Sequence, residues 1–171
     1  AGIEPDWLIG TSIGAINASI IAGNKVEDRL TNLEEFWRRV QHSSLWGAFP
    51  AWRGVADALA SWTTLATGIP GFFETNPSAF LGAHVPLGAD QAGYYSTEPL
   101  RQTLEELVDF SLINSGHPRL TVGAAHVRTS MMHYFDSKEM EITPAHIMAS
   151  GALPPAFPAV RIDGELYWDG G

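Results

Sequence analysis

Three observations predict an α/β fold. Short apolar runs that read as strands alternate along the chain with longer stretches of helical periodicity. A glycine-flanked serine closes the first of those strands and opens the first helix. No linker, repeat or low-complexity stretch divides the 171 residues, 45% of them apolar and 17% charged, so one domain with a real core is expected over 1–171.

Asp6–Ile9 is an apolar run ending at Gly10 and is predicted as a buried strand. Ile13–Ala22, rich in Ala and Ile and closed by Gly23-Asn24, is predicted as a buried helix with a glycine stop. Val26, Leu30, Leu33, Trp37 and Val40 recur at helical spacing, with charged residues between them, and predict an amphipathic helix. Residues 43–95 are rich in Trp, Phe, Gly and Pro and read as an insertion or cap, with a helix over Ala51–Leu65 broken at Gly68–Gly71. Thr97-Glu98-Pro99 reads as an N-cap with an early proline, leading a helix through Leu100, Leu104, Leu107 and Val108. Leu120–Ala125 and Met131–Phe135 are candidate strands, and Thr143-Pro144 opens a short helix through Ala149. Val160–Ile162 and Glu165–Trp168 flank Asp163-Gly164, a type I′ hairpin signal.

The formal net charge is −9, which repels polyanions and makes nucleic acid an unfavourable partner. The absence of cysteine excludes disulfides, thiolate catalysis and Cys-based metal sites. No apolar run approaches the length of a membrane span. The six histidines show no metal-ligand spacing, and no glycine-rich phosphate cradle leads to a lysine, so neither metal nor cofactor is expected.

Gly10-Thr11-Ser12-Ile13-Gly14 fits G-x-S-x-G. A serine on a strand-to-helix turn is pushed out of the backbone and exposed. The glycines allow the sharp turn, and the helix N-terminus places a positive field where charge develops on an attacked carbonyl. Such a serine needs a base. None of His42, His84, His117, His126, His133 and His146 lies in a recognisable triad signature, so a histidine triad is possible but unsupported.

The run Pro5-Asp6-Trp7-Leu8-Ile9-Gly10-Thr11-Ser12-Ile13-Gly14-Ala15-Ile16-Asn17-Ala18 closely resembles the nucleophile elbow of patatin-like phospholipases. Tyr167-Trp168-Asp169-Gly170-Gly171 resembles that family's second signature, and Met148–Pro158 resembles the stretch before it. The resemblance implies a three-layer α/β/α fold around a central, mostly parallel sheet. It implies hydrolysis of lipid acyl esters through a dyad of Ser12 as nucleophile and Asp169 as base, passing through an acyl-enzyme. Gly10, Thr11, Ile13 and Gly14 would form the elbow, and Gly170 and Gly171 would let the aspartate loop approach the serine. Asp163 is the competing aspartate and is assigned to the hairpin turn.

The resemblance departs from the family's pattern upstream. The family carries a glycine-rich oxyanion loop before the serine, and the eleven residues preceding Ser12 hold no such run. On this reading the chain is a piece cut at both ends. The Ile13 N–H supplies one donor, and the missing loop costs on the order of 100- to 1,000-fold in rate. The sheet edge that the family's first strand covers is then exposed or paired with another chain. Trp46, Phe49, Trp52, Trp62, Phe72, Phe73 and Phe80 read either as core or as an acyl-binding wall that touches a membrane transiently. The partner expected is a lipid or acyl ester, and a cytoplasmic or membrane-associated location is favoured. The rival is a non-catalytic lipid-binding or interaction module on the same fold.

Overall fold

A computed structural model describes residues 4–42, 74–75, 89, 95–154 and 157–171. The chain opens with β1 (Trp7–Thr11) and turns directly into α1 (Ile13–Ala22). Ala15, Ile16, Ala18, Ser19, Ile20 and Ala22 are all buried, so α1 is a helix wrapped by protein, as its uniformly apolar sequence requires. It stops where the Gly23 N–H bonds the Ser19 carbonyl. A Cβ on Gly23 would meet Val108 Cγ1 at 2.5 Å, so only glycine lets this corner close. Asn24 then donates to the carbonyls of both Ile20 and Leu107, satisfying the ends of two helices with one amide.

The next helix, α2 (Arg29–His42), packs against α1. Its inward stripe is Leu33, Phe36 and Val40, with Phe36 fully buried. Val26 lies before the helix, and Leu30 and Trp37 are exposed, which corrects the stripe predicted from spacing. A helix with apolar residues on two adjacent stripes has no periodicity that chooses between them; the neighbouring helix does. Trp37 instead donates from Nε1 to Asn17 on α1.

A two-residue ladder pairs β2 (Glu74–Thr75) antiparallel with β3 (Tyr95–Ser96). The predicted helix over 51–65, the break after it and all seven aromatic residues from Trp46 to Phe80 lie outside the described residues. In α3 (Glu98–Leu107), Leu100, Thr103, Leu104 and Leu107 are buried at the expected spacing. Thr97 makes no side-chain cap; the Glu98 N–H bonds Ser96 Oγ at 3.2 Å instead. The helix ends at Leu107, one residue earlier than predicted, because Asp109 caps a new turn, α4 (Phe110–Asn114), accepting from the N–H groups of Ser111 and Leu112.

The central strand β4 (Arg119–His126) and β5 (Met132–Asp136) follow, then α5 (Pro144–Ser150) and the hairpin β6 (Val160–Ile162) and β7 (Glu165–Trp168). Asp163 and Gly164 have φ of 49° and 86°, the pair of positive values that a type I′ turn demands.

The α/β class is as predicted. Within the described residues the sheet is mixed: β1–β4 is parallel, whereas β4–β5, β4–β7 and β6–β7 are antiparallel. Helices α1 and α5 pack on the sheet, and Leu120, Val122, Ala124 and Phe135 on it are fully or almost fully buried. Trp7, Ile9, Met132 and Tyr134 alternate with the core-facing residues and are exposed. Among the described residues, the strand predicted as buried is therefore covered on one face only. On that open face Arg119 lies over the Trp7 ring and pairs bidentately with Asp136, and Trp7 Nε1 donates to Thr121. No described helix is long and apolar enough to cross a membrane.

Candidate active site

The register of β4 explains why residues 157 positions apart meet. Residues 121–125 of β4 pair with β5 along one edge. Along the other edge β1 occupies 119–123 and β7 occupies 125–126, running in opposite directions. Thr11, the last residue of β1, stands opposite Gly123, and Trp168, the last of β7, stands opposite Ala125. The two strands thus point at each other with one rung between their ends. The next residue of each is Ser12 and Asp169, and Ser12 Oγ donates to Asp169 Oδ2 at 2.5 Å.

Ser12 sits at φ 56° and ψ −132°, a positive-φ conformation costing a non-glycine residue on the order of 1–3 kcal/mol. That turn swings the chain from β1 into α1 and leaves the hydroxyl half-exposed at the helix N-terminus. The first N–H groups of an α-helix, here those of Ile13 and Gly14, lack intrahelical partners. Gly10 is fixed by packing: a Cβ there would meet the Gly14 carbonyl carbon and oxygen at 2.5 Å. Gly14 is not, since a Cβ there would meet nothing within 4 Å and its φ is ordinary. A side chain is thus excluded at Gly10 and accommodated at Gly14. Thr11 Oγ1 lies over Gly123, and Ile13 is 42% exposed beside the serine.

Asp169 is held on three sides. Its N–H donates to the Ala152 carbonyl at 3.0 Å, and its Oδ1 accepts from the Gly171 N–H at 2.8 Å, leaving Oδ2 to Ser12. A Cβ on Gly170 would strike the thioether of Met132. Asp163 lies on the exposed hairpin turn, away from this junction.

Two of the described histidines are engaged elsewhere. Both ring nitrogens of His126 have partners, Thr129 and Glu165, and the imidazole bond holds Glu165 below the usual carboxylate range. His146 is buried and accepts the Thr143 N–H through Nδ1, and burial lowers its pKa. Neither bonds Ser12. Among the described residues no cluster of three or more His, Asp or Glu could hold a metal ion.

One residue at this junction has no sequence signature. Ser150, fully buried at the end of α5, accepts from the Ser12 N–H at 2.8 Å and donates to the Gly123 carbonyl at 2.6 Å. Only its place in a stretch resembling the family could have drawn notice to it.

The model of one family, described as patatin-like phospholipase, matches residues 1–171, the whole chain. The chain belongs to the patatin-like phospholipase family. Its α/β fold is in keeping with that family, and membership places it among proteins that hydrolyse lipid esters. No curated protein matches the sequence.

Proposed function

We propose that this patatin-like chain is a serine lipid acyl hydrolase working through a Ser12–Asp169 dyad. The observation that carries the reading is the Ser12 Oγ to Asp169 Oδ2 hydrogen bond at 2.5 Å, in which the serine is the donor. A carboxylate is a weak base for an alcohol, so the transfer depends on placement: the proton already lies along the line it must travel.

In the first half-reaction Ser12 Oγ attacks the acyl carbonyl carbon, and its proton passes to Asp169 Oδ2. The N-terminus of α1 faces the oxygen that becomes negative, with the Ile13 N–H as nearest donor by the logic of an oxyanion hole. The tetrahedral intermediate collapses, the ester C–O bond breaks, and Asp169 returns the proton to the departing alcohol. The acyl group stays on Ser12. Water then attacks the acyl carbon, giving its proton to Asp169, and the fatty acid leaves as Ser12 takes a proton back. The Gly171 N–H holds Oδ1 and so keeps Oδ2 turned to Ser12.

The net charge of −9 favours uncharged or zwitterionic lipid over anionic surfaces. The test is fatty-acid release from phosphatidylcholine and from a neutral acyl ester. Ser12→Ala and Asp169→Asn should each lower turnover by about 1,000-fold or more, and Asp163→Asn should leave it unchanged. Full activity in Asp169→Asn would sink the dyad.

A further inference from the structure

We propose that Ser150 is a positioning residue for Ser12: its hydroxyl is interposed at the last rung between β1 and β4 and sets the angle at which the serine leaves the sheet. The proposal rests on Ser12 being the nucleophile.

A hydroxyl has one proton to give, and Ser150 gives it to the Gly123 carbonyl. It therefore meets Ser12 as an acceptor, taking the backbone N–H. Ser12 N–H and Gly123 C=O are thus joined through a side chain and not directly. Were they joined directly, the β1–β4 ladder would run on by one rung, and Ser12 would be drawn towards extended backbone. The interposed oxygen keeps that rung open and gives Ser12 a partner while it holds φ 56°. Two residues later the same segment takes the other half of the dyad, since the Ala152 carbonyl accepts the Asp169 N–H. The end of α5 therefore grips both residues, Ser12 by a hydroxyl and Asp169 by a carbonyl, and fixes their separation. Ser150 is wholly buried in an apolar core, where removing its oxygen leaves a donor and an acceptor without partners.

The experiment measures the rate of covalent labelling of Ser12 by a fluorophosphonate, with the labelled peptide identified by mass spectrometry. Steady-state hydrolysis of a p-nitrophenyl ester runs in parallel. Wild type, Ser150→Ala and Ser150→Thr are compared, each checked for folding by circular dichroism. Ser150→Ala is expected to lose on the order of 100-fold in labelling rate and kcat with KM within about twofold, the cost of misplacing a reacting group by about 1 Å. Ser150→Thr keeps the hydroxyl and should recover at least tenfold of that loss. A folded Ser150→Ala labelled at the wild-type rate overturns the proposal and leaves the dyad standing. Wild type unlabelled at Ser12 overturns both. Should Ser150→Ala not fold, hydrogen exchange of the Ser12 amide in wild type decides: protection supports the bond to Ser150, and exchange at the rate of a free amide overturns it.

Discussion

Gly10 and Gly14 occupy equivalent places in the G-x-S-x-G motif, yet the structure assigns them opposite responses to alanine. A Cβ on Gly10 would lie 2.5 Å from the backbone carbon and oxygen of Gly14 and 2.6 Å from the nitrogen of Ala15, where ordinary contact begins at 3.4 Å. None of those atoms can swing aside, because they belong to the first turn of α1. The helix must retreat from β1 by close to 1 Å, and overpacking of this kind costs roughly 1–3 kcal/mol. For a chain of 171 residues that lowers Tm by roughly 2–12 °C. The retreat carries Ser12 away from Asp169, so activity should fall by about 100-fold. Gly14→Ala meets no atom and gains up to about 1 kcal/mol of helix propensity. Urea unfolding of wild type and both variants gives the stabilities, and ester hydrolysis by Gly10→Ala gives the functional half. Gly10→Ala as stable as wild type, or Gly14→Ala as damaged as Gly10→Ala, would refute the packing argument.

Three further outcomes follow from the structure. The Arg119 guanidinium, bonded to the nearly buried Asp136, holds that carboxyl at about 2 against an ordinary 3.8. A carboxyl depressed on folding contributes stability above its unfolded pKa, so roughly 2 kcal/mol should disappear as pH falls from about 4 to about 2; acid titration of unfolding free energy should show this loss in wild type and not in Asp136→Asn. Burial depresses His146, so its contribution is complete above about pH 6.5, the ordinary histidine value, and declines as pH falls below it. His146→Gln keeps an acceptor for the Thr143 N–H and should flatten stability between pH 5 and 7, which thermal melts across that range would reveal. Asn24→Ala strips the partner from the carbonyls of Ile20 and Leu107 and should cost about 1–3 kcal/mol by urea unfolding.

The legible parts of the chain were those whose cause is local. The β1–α1 elbow, the α3 and α5 starts at Glu98-Pro99 and Pro144, and the Asp163-Gly164 turn each depend on a few adjacent residues, and each forms where expected. Ser12 and Asp169 were legible as motifs, yet their meeting depends on β1 and β7 sharing an edge of β4, which no local pattern records. The same limit hid Ser150, whose partners lie 138 and 27 residues away. Phe36 was missed because two apolar stripes on α2 satisfy the same period, and α4 because five residues are too few to show one. Gly14 shows the converse: a motif position need not owe its glycine to backbone geometry.

The most direct test of the central claim is the identity of the acylated residue. Brief incubation with a slowly turned-over acyl ester, an acid quench and peptide mapping would locate the acyl group. An ester on Ser12, absent in Ser12→Ala and slowed by about 1,000-fold in Asp169→Asn, is the predicted result. Turnover without an acyl group on Ser12, or undiminished acylation in Asp169→Asn, would contradict the dyad.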